Sequence, residues 1–303
     1  MGKRELKNIL NNGKTIEVDL NSKLVFISDI HRGDGGSADS LIGNKNIYLA
    51  ALRYYYREEY TLIEVGDGDE LWKNKNCVDI AYNYKDVFSI YNKFNNNDRL
   101  YMIYGNHDKM KKNKDFKNFH ERKFKRFGEN FGEEFLNLIN NLEFYNGLVL
   151  NFNPSNKKGI VIHGHQLDFM NDELSKFTRF LVRYFWRFLE GIAGFKAPNS
   201  PANNYKKGNK IDEKLDRFAK ENKILLIAGH THRARFPKIN EGIYFNDGSC
   251  VLPYSITSLE INKGLISLVK WSIEVSKENN LCIRRTFLAG PEKIEAYLKL
   301  VKD

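Results

Sequence analysis

Five times along this chain an apolar run of strand length closes directly on a short polar block bearing aspartate, asparagine or histidine. That recurrence limits the fold more than any other feature of the sequence. The blocks are SDIH at 28–31, GDGDE at 66–70, GNHD at 105–108, HGHQ at 163–166 and GHTH at 229–232, and six of the seven histidines lie in them. Strands that end in polar loops at one edge belong to α/β folds, which gather ligand and metal sites beyond their strand ends.

Runs rich in β-branched and aromatic residues, bounded by Gly, Asn or Asp, predict strands at 24–28, 61–65, 100–104, 147–152, 160–162, 224–228, 243–246, 255–261, 266–271 and 282–287. Apolar groups at helical spacing predict helices at 46–60 and 78–94, and a proline precedes a third at 292–301. No internal repeat and no long Pro/Gly/Ser linker divides the 303 residues, so a single α/β domain is expected over 1–303. Within it, 109–222 is dominated by helical, basic and aromatic patterns with only two or three strands in its middle, and most of it reads as insertions forming a cap.

With 42% hydrophobic residues the chain can build a core, which excludes disordered and collagen-like classes. No apolar run approaches the ~18 residues of a membrane-spanning helix. The start, MGKRELKNIL, leads into no apolar signal region, and Leu6 stands where a myristoylation signal wants Ser or Thr, so a cytoplasmic address is expected. Cys77, Cys250 and Cys282 are odd in number and lack CxxC spacing, which argues against a disulfide framework or a thiolate metal site.

The chemistry lies in the blocks. Asp29, His31, Asp67, Asn106, His163, His230 and His232 supply seven carboxylate, amide and imidazole donors. These suit Mn, Fe, Zn, Ni or Co, and no thiolate is at hand to steer the choice. Seven donors exceed one tetrahedral site and suit two adjacent ions with a shared carboxylate, an arrangement fitted to hydrolysis of phosphate esters.

The ordered set DxH, GDxxE, GNHD, HGH and GHxH resembles the calcineurin-like metallophosphoesterase superfamily, from Ser28 to His232. The resemblance implies a two-sheet β-sandwich flanked by helices, with a helical insertion and every ligand in loops at one edge. It implies that Asp29, His31 and His232 hold one divalent ion, that Asn106, His163 and His230 hold the other, and that Asp67 bridges them. His107 would be the catalytic acid or charge stabiliser, with Asp108 orienting its imidazole. GDGDELW and GHTHR are similar to UDP-diacylglucosamine pyrophosphatase-like members. The expected activity is hydrolysis of a phosphomonoester, phosphodiester or pyrophosphate by metal-activated water, with manganese the first choice of metal. The alternative is a non-catalytic scaffold of the same shape that binds membrane, nucleic acid or protein through its basic helices.

Other residues are open to two readings. Arg32 would meet a substrate phosphate through a bidentate guanidinium, though an exposed surface arginine is the plainer account. His165 is assigned to substrate contact or to support of a ligand, and Asn246 and Ser249 either line the cleft or form a turn. Asp69 and Glu70 are read as shaping their loop or supporting a ligand. Between 109 and 127 nine basic residues face two acidic ones, a run read as a solvated face or a phosphate-binding one, with His120 expected at the surface. At 172–195 aromatic residues and arginines form parallel stripes, which would lay a helix on the sandwich or on a membrane surface and make the protein peripheral to it. The net charge of +10 favours phosphate-bearing partners without favouring nucleic acid in particular, and oligomeric state is not legible.

Overall fold

In a computed structural model of the chain, residues 2–36, 39–113, 115–127, 132–168 and 205–302 are described. Two sheets carry the architecture. The larger has seven strands in the order β12-β11-β10-β2-β3-β4-β5, with β10 at Ser255–Asn262 and β11 at Leu265–Val275, and the smaller has five in the order β1-β6-β7-β8-β9. The strands that matter for the site are β2 (Lys23–Ile27), β3 (Thr61–Glu64) and β4 (Leu100–Ile103) in the larger sheet, and β7 (Lys157–Val161), β8 (Leu225–Ala228) and β9 (Tyr244–Asn246) in the smaller. Each trio is mutually parallel, so each sends its chain ends to one edge.

Strand β2 shows why these runs are apolar throughout. Alternate residues point to opposite faces of a sheet. Leu24 and Phe26 join a cluster with Leu148, Leu150 and Ile160 of the smaller sheet. Val25 and Ile27 join the opposite cluster, with Leu52 and Tyr55 of α2 (Lys45–Arg57), Phe88 and Tyr91 of α4 (Lys85–Asn95) and Phe135 and Leu138 of α6 (Glu133–Asn141). A strand covered on both faces needs apolar side chains at every position, which is the pattern of buried parallel sheets. The smaller sheet is covered by α1 (Gly2–Asn12) through Leu6 and Ile9, and by α7 (Tyr205–Asn222) through Ile211, Leu215 and Phe218.

All ten expected strands are present, nine of them within four residues of their predicted ends. Two more appear, β1 (Lys14–Val18) and the two-residue β5 (Phe144–Tyr145). The helix expected over 78–94 is two helices, α3 (Val78–Asn83) and α4, broken at Tyr84, whose backbone leaves helical geometry while its hydroxyl donates to Asp39. β12 (Leu281–Lys293) runs on to Lys293, which delays the last helix, α8, to Ile294–Leu298. The stretch 109–222 contributes β5, β6 (Leu148–Phe152), β7 and α7 to the two sheets and their cover, so these parts are scaffold rather than insertion. The expected helix at 172–195 lies outside the described residues. Among the described residues no helix is long and apolar enough to cross a membrane.

The basic run is a packed helix, not only a solvated face. In α5 (Asp115–Phe124) the residues spaced by four, Phe116, His120 and Phe124, are buried. His120 was expected at the surface and is instead 2% exposed, accepting the backbone N–H of Cys77 on Nε2. Four-residue spacing puts it on the aromatic face, and that outweighs its basic neighbours.

Candidate metal centre

Each polar block begins where a strand ends, and the backbone there curls tightly. Asp29, His31, Asp67, His230 and His232 all have φ between 50° and 70°. Side chains seldom hold that left-handed conformation, at a cost of about 1–3 kcal/mol each, and such residues cluster at functional sites. Close backbone approach requires glycine. A Cβ on Gly105 would lie 2.0 Å from Asp67 Oδ1, and one on Gly229 would lie 2.1 Å from Ser28 Oγ.

The curled ends bring the residues together. Three groups of donors lie close enough to hold a metal ion: Asp29, His31 and His232; Asp67, His163 and His230; and His31, Glu70 and His107. His232 Nε2 is 3.0 Å from Asp29 Oδ1 and 3.3 Å from His31 Nε2, and His163 Nε2 is 3.2 Å from Asp67 Oδ2. Two donors each about 2.1 Å from one ion stand about 3.0–3.4 Å apart, so these spacings suit a cation between them. The donors are also orphans. Asp29 Oδ1, His163 Nε2 and both amide atoms of Asn106 are buried without a hydrogen-bond partner. Unpaired buried polar atoms are rare unless a ligand satisfies them, so the residues fit a metal centre.

The electrostatics agree. Burial works to raise the Asp67 carboxyl, but His163, His107 and His31 more than reverse it and hold it well below the usual carboxylate range. Asp29 is likewise depressed, burial being outweighed by His232 and His163. Burial opposes charge on His163, yet Asp67 and Asp29 push it up to about 10, so without another cation the carboxylates hold a proton there.

Every histidine of the cluster is oriented from behind. His163 Nδ1 pairs with the Val65 carbonyl at 2.8 Å, leaving Nε2 to face Asp67. His31 Nδ1 pairs with Glu70 at 3.2 Å, and His232 Nδ1 with Ser249 Oγ at 3.4 Å. His230 is turned the other way, with Nε2 3.3 Å from Asp168 Oδ2. Such outer partners fix the tautomer of a metal-binding imidazole. Ser28 Oγ lies 2.5 Å from Asp29 Oδ2 and 2.6 Å from Asp247 Oδ1. Burial pushes the Asp247 carboxyl well above the usual range.

His107 stands beside the cluster, stacked on Trp72 at 4.1 Å with 15° between the rings. Its Nδ1 is 2.8 Å from Glu70 Oε1. Burial lowers its pKa, but Glu70 and Asp67 raise it by more, which favours the imidazolium. The expectation that Asp108 orients His107 does not hold. The Asp108 carboxylate accepts the backbone N–H groups of Gly105 at 2.7 Å and Gly68 at 3.2 Å and pairs with Lys111, so it braces the two loops, and Glu70 holds the imidazole.

Two expected substrate contacts are also corrected. Arg32 is fully buried, bound to Asp69 at 2.6 Å and to Glu64 at 2.9 and 3.2 Å, so it offers no surface to a substrate. Asn246 is fully buried with its amide donating to Gly229 O, Thr231 Oγ1 and Tyr244 OH, which makes it a brace of the GHTH loop. His165 is buried beside His163, ring centres 5.5 Å apart, with Nδ1 unpaired, and burial drives its pKa well below the usual value. Sequence reasoning missed Asp168, Asp247 and Trp72. Trp72 stands in the GDGDELW run without a role having been assigned to it, and Asp168 is a carboxylate five residues past His163.

Parallel strand ends from two sheets, meeting in one cluster of carboxylate, amide and imidazole donors, define the class as a metal-binding phosphoesterase fold. Residues 22–234 match the calcineurin-like phosphoesterase family, and the chain belongs to it. Among solved structures, Vps29 of Chaetomium thermophilum is similar at 10% sequence identity with a TM-score of 0.39, over 88% of this chain and 97% of that one. No curated protein matches.

Proposed function

We propose that the chain is a metal-dependent hydrolase of a phosphomonoester, phosphodiester or pyrophosphate. Asp29, His31 and His232 would hold one divalent ion, Asn106, His163 and His230 a second, and Asp67 would bridge them, with manganese first in order and Fe, Zn, Ni or Co as alternatives. The single observation behind this reading is the convergence of carboxylate and imidazole donors from five strand ends, with Asp29 Oδ1 and His163 Nε2 among them buried and without a hydrogen-bond partner. Bound there, divalent ions supply positive charge against phosphoryl oxygens and lower the pKa of a water molecule.

The chain's own residues supply the rest. Glu70 engages His107 at Nδ1, so Nε2 is the nitrogen that can carry a proton toward a leaving oxygen. Trp72 fixes the ring plane from one side and donates its indole N–H to the Asn106 carbonyl at 2.8 Å, which ties the acid to the loop of a metal donor.

Full-length protein loaded with manganese should hydrolyse an aryl phosphate or an aryl phosphodiester. His107→Ala should lower kcat by about 10²–10⁴. Glu70→Gln should lower it less, because an amide oxygen still accepts the Nδ1 proton. Folded protein that stays inert toward mono- and diesters and a nucleotide sugar with Mn, Fe, Zn, Ni and Co would overturn the reading.

A further inference from the structure

We propose that Asp168 is a positioning residue of the metal centre, which decides the nitrogen that His230 presents to a metal ion. The inference rests on the two-ion reading above and concerns how this chain builds the second of the two sites.

Asp168 is placed by the chain immediately after β7. Gly164 adopts φ 113°, a conformation that suits glycine, and one turn of 3₁₀-helix follows at His165–Leu167. The Asp168 N–H donates to His165 O at 2.9 Å, and Lys214 of α7 reaches the Leu167 carbonyl at 3.3 Å. The turn carries the carboxylate back over the GHTH loop, where it is 4% exposed with Oδ2 3.3 Å from His230 Nε2.

A neutral imidazole has one N–H and one lone pair. With the N–H at Nε2 directed to Asp168, the lone pair is at Nδ1. The backbone N–H of the same residue donates to Asp29 Oδ2 at 2.7 Å, which fixes the backbone that carries the ring. His31 and His163 are tied at Nδ1 and present Nε2, so His230 is the reversed member of the set. The His230 ring packs at 67° to that of His163, centres 5.1 Å apart. A carboxylate acceptor also strengthens the opposite nitrogen as a donor more than the carbonyl behind His163 does, because it carries a full charge.

The test is metal binding, read without substrate. Wild type, Asp168→Asn and Asp168→Ala are titrated with Co²⁺ as full chains, by calorimetry and visible absorption. Wild type should take two ions. Asp168→Ala should bind the second about 10- to 100-fold more weakly and leave the first unchanged, the range seen when outer partners of ligands are lost. Asp168→Asn, nearly the same shape, should fall between, since its amide oxygen accepts the proton without the charge. At saturating Co²⁺ all three should show the same d–d band intensity, because no ligand has been removed. Unchanged affinity in both variants would overturn the inference. So would an altered band intensity at saturation, which would make Asp168 a ligand itself. Wild type that binds fewer than two ions would overturn the two-ion reading and this inference with it, whereas two ions in wild type and in both variants at equal affinity would overturn only the inference.

Discussion

Replacing Arg32 with methionine should cost the fold about 3–5 kcal/mol, the penalty for leaving a buried charge without its partner. Arg32 is enclosed between the aromatic rings of Phe88 and Tyr91, 5.3 and 5.2 Å from their centres. It satisfies Glu64 with two hydrogen bonds and Asp69 with one. Without it Asp69 keeps Lys111 at 2.8 Å, but Glu64 keeps only the Tyr91 hydroxyl at 2.7 Å. The cost therefore falls on Glu64, a fully buried carboxylate. Natural domains have about 5–15 kcal/mol in all, so this is a large share. Urea unfolding of the metal-loaded protein should show a lower midpoint at an unchanged slope. Arg32→Met with Glu64→Gln should be more stable than Arg32→Met alone, since the stranded charge is gone. A loss below about 1 kcal/mol would refute the assignment of Arg32 to the core. Reduced kcat/KM at full stability would restore it as a substrate contact.

Gly105→Ala should weaken metal binding at the proposed centre, because its Cβ would stand 2.0 Å from Asp67 Oδ1 and 2.3 Å from Asp67 N, forcing the Asp67 carboxylate away. Metal analysis after gel filtration checks this, and wild-type stoichiometry in the variant would contradict it. A second expectation concerns acid. Burial would raise the Asp69 carboxyl, but Arg32 and Lys111 more than reverse that and hold it down at about 2, against an ordinary 3.8. A depressed folded-state pKa stabilises above the unfolded value, so the contribution is complete above about pH 4 and is lost as pH falls toward 2. A shift of about 2 units is worth about 2.5 kcal/mol. Unfolding of wild type and Asp69→Asn between pH 5 and 2.5 should therefore converge as pH falls, and parallel curves would sink the assignment.

The strands and the candidate metal donors were legible because both leave local marks. A strand buried on both faces is apolar at every position, and a ligand loop at its end is a run of Gly, Asp, Asn and His. What escaped depends on partners far along the chain. Nothing near Arg32 says that it turns inward, because its partner Glu64 belongs to the neighbouring strand β3. Asp108 follows His107 directly, yet adjacent residues rarely face each other, and Glu70, 37 positions away, is the group that reaches the imidazole. The break at Tyr84 was hidden because Ile80, Tyr84, Phe88 and Tyr91 keep helical spacing straight across it. Strand β5 is two residues long, too short to carry a period.

The buried ion pairs and the candidate metal donors are parts of one construction. Arg32 follows His31 by one residue, Asp69 follows Asp67 by two, and Asp108 follows Asn106 by two. Each of these three loops thus sends one charged side chain down into the network while it lifts its candidate donors to the cleft. Lys111 joins Asp69 to Asp108 at 2.8 and 3.2 Å, and an isolated bridge pairs Arg32 with Asp69 through their backbones. These links tie the SDIH, GDGDE and GNHD loops to one another without any metal. The left-handed residues at Asp29, His31 and Asp67 are strained, and strain persists only where surrounding contacts over-determine it. Rigid support of this kind lets a site hold its donors in place before a cation arrives, so binding energy is not consumed in ordering them. By that reasoning a substitution in the network, although it touches no donor, should weaken metal binding as well as the fold, whereas a substitution at Asp168 should weaken metal binding alone.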